Sequence, residues 1–102
     1  MSLRIRVARN FFQRLQGLLG SPPLEPDEAL WIPHCQAIHT FGMRYPIDAV
    51  YLDKTNRVVR LVPHLVPNRM GPVCLQAVSV LELADGVIER KHLRRGDFLT
   101  VP

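Results

Sequence analysis

The chain has 102 residues, of which 47% are hydrophobic and 22% are charged. This length and composition fit one globular domain spanning residues 1–102, with enough surface to bury for a single modest core. They exclude a disordered, collagen-like or disulfide-scaffold protein. No apolar run reaches the roughly 18 residues of a membrane-spanning helix, so we expect no such helix.

Positive charge is concentrated in the first quarter of the chain. The formal net charge is +4, and residues 1–24 contain four arginines and no acid, whereas the remainder is balanced. A basic segment of this kind can meet phosphates, lipid headgroups or an acidic partner. The segment lacks the aromatic platform of a single-strand binder, which disfavours nucleic acid. The simpler interpretation is that the four arginines lie on a solvated surface of the domain. They are Arg4, Arg6, Arg9 and Arg14.

Cellular context is suggested by the first 21 residues and by the cysteines. Arginine interrupts each apolar stretch there, unlike the hydrophobic segment of a secretory signal. We therefore expect a cytoplasmic protein. Cys35 and Cys74 should be thiols in such a compartment, with a disulfide between them as the alternative.

Hydrophobic periodicity changes early in the chain. Residues 3–7 alternate between apolar and polar, which predicts a half-buried strand. The next apolar residues recur at helical spacing, so an amphipathic helix over 11–19 is predicted, with Asn10 as its cap and Gly20 as its stop. The core-facing stripe of this helix would comprise Phe11, Phe12, Leu15, Leu18 and Leu19.

The remaining elements are short. The pattern predicts strands over 29–32, 47–53, 57–62, 76–83 and 97–101, with a hairpin turn at 53–56. Asp85 is the expected cap of a short second helix over 87–92. The predicted fold class is mainly β (α+β): a single small, barrel-like curled sheet of about six strands, since closure removes exposed edges.

Reactive side chains are concentrated in residues 35–48, where Cys35, His39, Arg44 and Asp48 bring a thiol, an imidazole, a guanidinium and a carboxylate together. Asp48 and Glu82 each lie within an apolar strand, and a buried carboxylate without a partner is costly. These two acids are therefore expected to converge with the basic groups of the neighbouring loops at one side of the sheet. The predicted cluster contains His39, Arg44, Asp48, Glu82 and Arg69, with Cys35 adjacent.

Three chemical interpretations compete with a cluster that binds a ligand or stabilises the fold. A metal site could use Cys35 and His39 with Cys74 or His64, although this spacing is a weak signal. Cys35 could be a nucleophile activated by His39 and oriented by Asp48. Asp48 and Glu82 could be an acid/base pair. We expect no metal and no cofactor. The catalytic candidates are Cys35, His39, Asp48 and Glu82, and the binding candidates are Thr40, Met43, Arg44 and Arg69.

Four motifs lie at residues 14–20, 35–48, 80–86 and 96–97. They resemble those of one family, the bacterial and archaeal domain of unknown function 192. The resemblance extends over about residues 4–101 and implies a compact, mainly β, barrel-like domain with a packed N-terminal helix and no established activity. Asn68 stands where a large aromatic residue is common in that family.

The sequence thus favours a non-enzymatic binding or accessory module, and an envelope or secretion system is a suggested setting. A small hydrolase or isomerase using His39, Asp48 and Glu82 is the first alternative. A basic module for anionic surfaces is the second.

Overall fold

A computed structural model describes residues 3–102, and within this range the side chains of Phe11, Phe12 and Leu15 lie outside the described part. Five strands and two short helices follow one another along the chain. In order they are β1 (Arg4–Val7), α1 (Phe11–Gln16), β2 (Glu28–Pro33), β3 (Ile47–Leu52), β4 (Val58–Leu65), β5 (Ser79–Ala84) and α2 (Val87–Arg90).

The strands form one mixed sheet in the order β1-β2-β5-β3-β4. β1 runs parallel to β2, and the other neighbours are antiparallel. The domain is therefore mainly β, as predicted, but the predicted barrel is wrong because β1 and β4 are separate edges of an open sheet.

The predicted sixth strand over 97–101 is also wrong. This segment meets the sheet at a single bridge, between Arg57 and Phe98. The backbone of Asp97 accepts a hydrogen bond from the Val58 N–H at 2.7 Å, which covers the start of the β4 edge. The segment therefore shields an edge without extending the sheet, which is one way to limit edge pairing when a barrel does not close.

The predicted hairpin is confirmed, since β3 and β4 pair across the turn that follows Leu52. Asp53 organises this turn by accepting hydrogen bonds at Oδ1 from the N–H groups of Thr55 (2.8 Å) and Arg57 (3.1 Å). A hydrogen bond from the Thr55 hydroxyl, together with these two backbone bonds, lowers the pKa of Asp53. The turn sequence therefore fixes the register of the two strands.

The sheet separates two apolar clusters, because β3 and β5 are buried on both sides. The side that carries Glu82 we call the Glu82 face, and the side that carries Asp48 we call the Asp48 face. Core residues of the Glu82 face include Leu30, Ile32, Ile47, Ala49, Tyr51 and Val80. Core residues of the Asp48 face include Ala29, Val50, Leu52, Leu81, Leu83, Val87 and Ile88.

Helix α1 begins where the sequence predicts and ends earlier. Asn10 Oδ1 accepts a hydrogen bond from the Gln13 N–H at 2.8 Å, as expected of a cap. The helix ends at Gln16, because Gly17 adopts a positive φ of 53° and reverses the chain, so Gly20 is not the stop. Leu18 is buried, but Leu19 is 37% exposed and does not belong to the predicted core stripe. The rest of that stripe lies outside the described side chains.

Helix α2 is one turn long, and the predicted capping by Asp85 is wrong. Gly86 precedes the helix in a left-handed conformation and provides no side-chain cap. Asp85 instead pairs with the His64 imidazole at 2.9 Å. No helix within residues 3–102 is long and apolar enough to cross a bilayer.

Candidate functional site

Asp48 is fully buried on β3, and both of its oxygens have backbone partners. Oδ1 accepts a hydrogen bond from the His64 N–H at 2.9 Å, and Oδ2 accepts one from the Ile88 N–H at 2.8 Å. The carboxylate therefore ties the end of β4 and the start of α2 to the centre of the sheet. Because backbone N–H groups occupy both oxygens, this bonding indicates a structural role for Asp48.

Glu82 does not meet Asp48. In the β3–β5 ladder Asp48 lies opposite Leu83, whereas Glu82 lies opposite Ala49. Directly paired residues share a face and successive residues alternate, so the two acids project to opposite sides of the sheet. The predicted convergence of Asp48 and Glu82 is therefore wrong, and an acid/base pair of these residues is excluded by the register.

The Glu82 carboxyl is enclosed beneath the loop that follows α1. Glu82 is 2% exposed, and within the described residues its Oε1 atom has no hydrogen-bond partner. Burial raises the pKa of Glu82 to about 8. The carboxyl is covered by Gly17, where a Cβ atom would lie only 3.2 Å from Oε1. The structure thus contains a carboxylic acid that is largely protonated at neutral pH.

The catalytic arrangement predicted around Cys35 is not formed. The thiol donates to the Ala37 carbonyl oxygen at 2.9 Å, and burial raises its pKa, which opposes thiolate formation. His39 Nδ1 accepts a hydrogen bond from the Phe41 N–H at 3.1 Å, and the two rings stack with centroids 5.4 Å apart. Asp48 lies across the sheet and does not orient this imidazole.

The metal interpretation finds no support either. Across residues 3–102 no three His, Cys, Asp or Glu side chains lie close enough to hold a metal ion. Cys35 and Cys74 are both free thiols.

Thr40 connects the central motif to the loop after β4. Its buried hydroxyl donates to the Val66 carbonyl oxygen at 2.6 Å and accepts from the Arg69 N–H at 3.0 Å. Nearby, Asn68 Oδ1 accepts a hydrogen bond from the Gly42 N–H at 3.0 Å. Thr40 therefore positions the loop, and the Asn68 side chain holds the loop to the backbone of Gly42.

The motif segments meet at a cleft of about 670 Å³. One wall is residues 18–23 and the other is residues 42–45, which include Met43 and Arg44, two of the residues predicted to bind a ligand. His39 and Arg69 are not part of its lining. At the contact of the two walls, a Cβ atom at Gly42 would lie 3.0 Å from Leu19 Cδ1, so glycine permits the close approach. The complete lining is Leu18, Leu19, Gly20, Ser21, Pro22, Pro23, Gly42, Met43, Arg44 and Tyr45.

Sequence reasoning missed the first of these walls. It interpreted residues 11–19 as a helix that ends at Gly20, and it assigned no role to the residues that follow. The signal was present in the motif at residues 14–20, whose glycines suit a chain reversal better than a helix interior.

Tyr45 joins the two walls of the cleft. Its hydroxyl lies 3.0 Å from the Ser21 carbonyl oxygen and 3.2 Å from that of Pro22, so it donates to this pair of acceptors. Burial raises the pKa of Tyr45, which keeps the hydroxyl protonated as a donor. The shape of the cleft therefore depends on one phenol.

We expect Tyr45→Phe to loosen the 18–23 wall at a cost of about 1 kcal/mol in unfolding free energy. Hydrogen exchange of the Ser21 amide, which is bonded to the Leu18 carbonyl oxygen at 3.0 Å, should accelerate. Tyr51→Phe is the matched control, because it removes a buried hydroxyl that donates to the Pro72 carbonyl oxygen away from the cleft. Equal acceleration of Ser21 exchange in both variants would contradict the assignment.

The basic N-terminal segment is partly neutralised. Arg4 forms an ion pair with Asp27 at 2.9 Å, and this hydrogen-bonded pair raises the pKa of Arg4 and lowers that of Asp27. Both side chains are more than half exposed. This pairing weakens the interpretation of the segment as a continuous phosphate-binding surface.

The protein is a small, mainly β domain built on an open, mixed five-stranded sheet. Residues of two sequence motifs line its cleft. The sequence profile of the DUF192 family, described as an uncharacterised ACR, matches residues 1–101. The chain belongs to this family. No curated protein sequence matches it.

Two solved structures are similar in fold. A protein of unknown function from Novosphingobium aromaticivorans DSM 12444 superposes with a TM-score of 0.85 at 22% identity, covering 94% of this chain and 73% of that one. A proposed transcription regulator from Sinorhizobium meliloti 1021 superposes with a TM-score of 0.82, also at 22% identity, covering 96% of this chain and 81% of that one. At this identity the likeness establishes the fold alone.

Proposed function

We propose that this domain is a binding module whose cleft takes a small amphipathic anion, such as a carboxylate with an aliphatic tail. The observation that carries the proposal is the meeting of two sequence motifs, residues 14–20 and 35–48, at the two walls of the cleft.

The size and composition of the cleft support an apolar ligand. Its volume of about 670 Å³ lies within the range of roughly 300–1,000 Å³ for small-molecule sites. Leucine, methionine and proline side chains form most of the walls, and Leu18 and Met43 are buried in the core behind them. Such walls favour an aliphatic group, since burying apolar surface yields about 25 cal/mol per Å².

Arg44 is the reason for proposing that the ligand carries a negative charge. It is exposed at the cleft, and it is the single charged residue of the lining. Within the described chain Arg44 makes no salt bridge. A guanidinium presents paired donors that match a carboxylate. An apolar cleft with one available cation therefore suits a ligand with one anionic end.

An enzyme built on His39, Asp48 and Glu82 has less support. Asp48 is held by backbone N–H groups on the face opposite Glu82, and His39 lies outside the cleft lining.

Thermal denaturation with decanoate as the probe tests the proposal. Decanoate should raise the melting temperature, because a ligand at 100 times its Kd adds about 2.7 kcal/mol. Acetate lacks the tail and decanol lacks the charge, so neither should match it. Arg44→Gln should abolish the stabilisation, whereas Arg60→Gln, an equal charge change at an exposed site on β4, should preserve it. A decanoate effect that survives Arg44→Gln, or no effect on the wild type, would contradict the proposal.

A further inference from the structure

Two irregular segments run side by side next to the Glu82 face. Residues 34–44 and 66–76 are antiparallel, with the Gly71 N–H bonded to the Ile38 carbonyl oxygen (2.8 Å) and the Cys74 N–H to that of Gln36 (2.9 Å). An isolated bridge joins His39 to Met70. We call this pair of segments the ribbon.

The ribbon has a buried inner side and an apolar outer side. Ile38 and Thr40 are buried against the Glu82 face. Large apolar side chains stand on the outer side with much of their surface in solvent. These are Phe41 (48% exposed), Met70 (60%), Val73 (61%) and Leu75 (81%). Exposed apolar groups gathered in one region mark interaction surfaces more often than scattered ones do.

The charges of the ribbon all have one sign. Neither segment contains an aspartate or glutamate, and both carry an arginine, Arg44 in one and Arg69 in the other. Both arginines are exposed, and neither takes part in the ion pairs found among residues 3–102. The surface therefore combines protruding apolar side chains with uncompensated positive charge.

We propose that the ribbon docks on an anionic lipid surface. A bilayer deforms around protruding side chains such as Leu75 and Val73, whereas a protein partner would need a matching pocket for each of them. Arginines next to inserted apolar groups interact with anionic headgroups, at about 1 kcal/mol for each residue near the surface. A second copy of the chain is disfavoured, because two ribbons face to face would oppose their arginines.

This inference goes beyond the proposed cleft function, although the ribbon and the cleft share residues 42–44, including Arg44. Met70, Val73, Leu75 and Arg69 are absent from the cleft lining. Substitutions at these positions should therefore leave the stabilisation by decanoate unchanged.

Co-sedimentation with lipid vesicles tests the docking. Wild-type protein should sediment with vesicles of equal parts phosphatidylcholine and phosphatidylglycerol, should not sediment with phosphatidylcholine alone, and should be released by salt. Leu75→Asp should weaken binding roughly tenfold or more, and Arg69→Gln about fivefold. Phe98→Asp and Arg95→Gln are the matched controls, since both residues are exposed outside the ribbon.

Three results would overturn the docking. The first is no sedimentation with anionic vesicles. The second is an equal loss of vesicle binding in the control variants, which would indicate a general charge attraction that does not depend on the ribbon. The third is displacement from vesicles by polyglutamate together with tighter binding of polyglutamate than of lipid, which would assign the ribbon to an acidic polypeptide instead.

Discussion

Glu82→Gln is expected to stabilise the protein at neutral and alkaline pH and to flatten its stability profile. Burial raises the pKa of Glu82 from 4.5 in the unfolded chain to about 8 in the folded protein. The folded state therefore binds the proton more tightly than the unfolded state does. The stabilisation of the folded state by this proton is complete below pH 4.5 and is lost progressively as the pH rises to about 8.

The size of this effect is large for a small domain. Each pH unit within that window costs about 1 kcal/mol of unfolding free energy, so the loss amounts to a few kcal/mol in total. Glutamine keeps the shape of the side chain beneath Gly17 without an ionisable proton. The stability of the variant should therefore vary little over the same window.

Urea unfolding at several pH values between 5 and 8 would measure the difference. Glu89→Gln is the control, because Glu89 is exposed on α2 and its replacement should leave the wild-type profile unchanged. A wild-type stability that rises from pH 5 to pH 8, or a Glu82→Gln profile parallel to that of the wild type, would show that the buried acid does not govern this range.

Asp48→Ala is expected to be the most destabilising single substitution at a polar position. It would leave the N–H groups of His64 and Ile88 without their partner in a buried region. Each unsatisfied group costs roughly 1–3 kcal/mol, so a loss of about 3–5 kcal/mol is expected. That is a large share of the roughly 5–15 kcal/mol that stabilises a typical domain.

Asp48→Asn separates the hydrogen bonds from the packing. An amide oxygen can replace one carboxylate oxygen, but the amide nitrogen would face an N–H group, so an intermediate loss is expected. Asp85→Ala is the control, since it removes the exposed partner of the His64 ring at a cost of less than about 1 kcal/mol. Chemical denaturation of the three variants gives these values. A loss at Asp48→Ala no greater than that at Asp85→Ala would refute the structural assignment.

The strands could be predicted from local patterns, but their arrangement could not. The five strands of the sheet all lie where apolar or alternating runs occur, because burial on one or both faces imposes those patterns. The closure into a barrel was a global inference; in the structure β1 and β4 lie at opposite edges of the sheet and do not pair with each other. The segment at 97–101 carried a strand pattern, but it only covers the start of β4.

The candidate site could be predicted only in part. Met43 and Arg44 were predicted to bind a ligand because a long motif surrounds them; both line the cleft, and their binding role is part of the proposal. The pairing of Asp48 with Glu82 failed because it required the register of β3 against β5, and a shift of one residue changes the face on which a side chain lies. The backbone partners of Asp48 could not be foreseen, since sequence patterns do not reveal which N–H groups a fold leaves for a buried carboxylate.

An amide NMR titration with decanoate tests the central claim, that the motif cleft binds an amphipathic anion, most directly. The account predicts saturable shifts concentrated in residues 18–21 and 42–45, the amide-bearing walls of the cleft, and their loss in Arg44→Gln. Shifts centred instead on the cleft formed by Asp53, Arg57 and Arg95, or no saturable shifts at all, would contradict it.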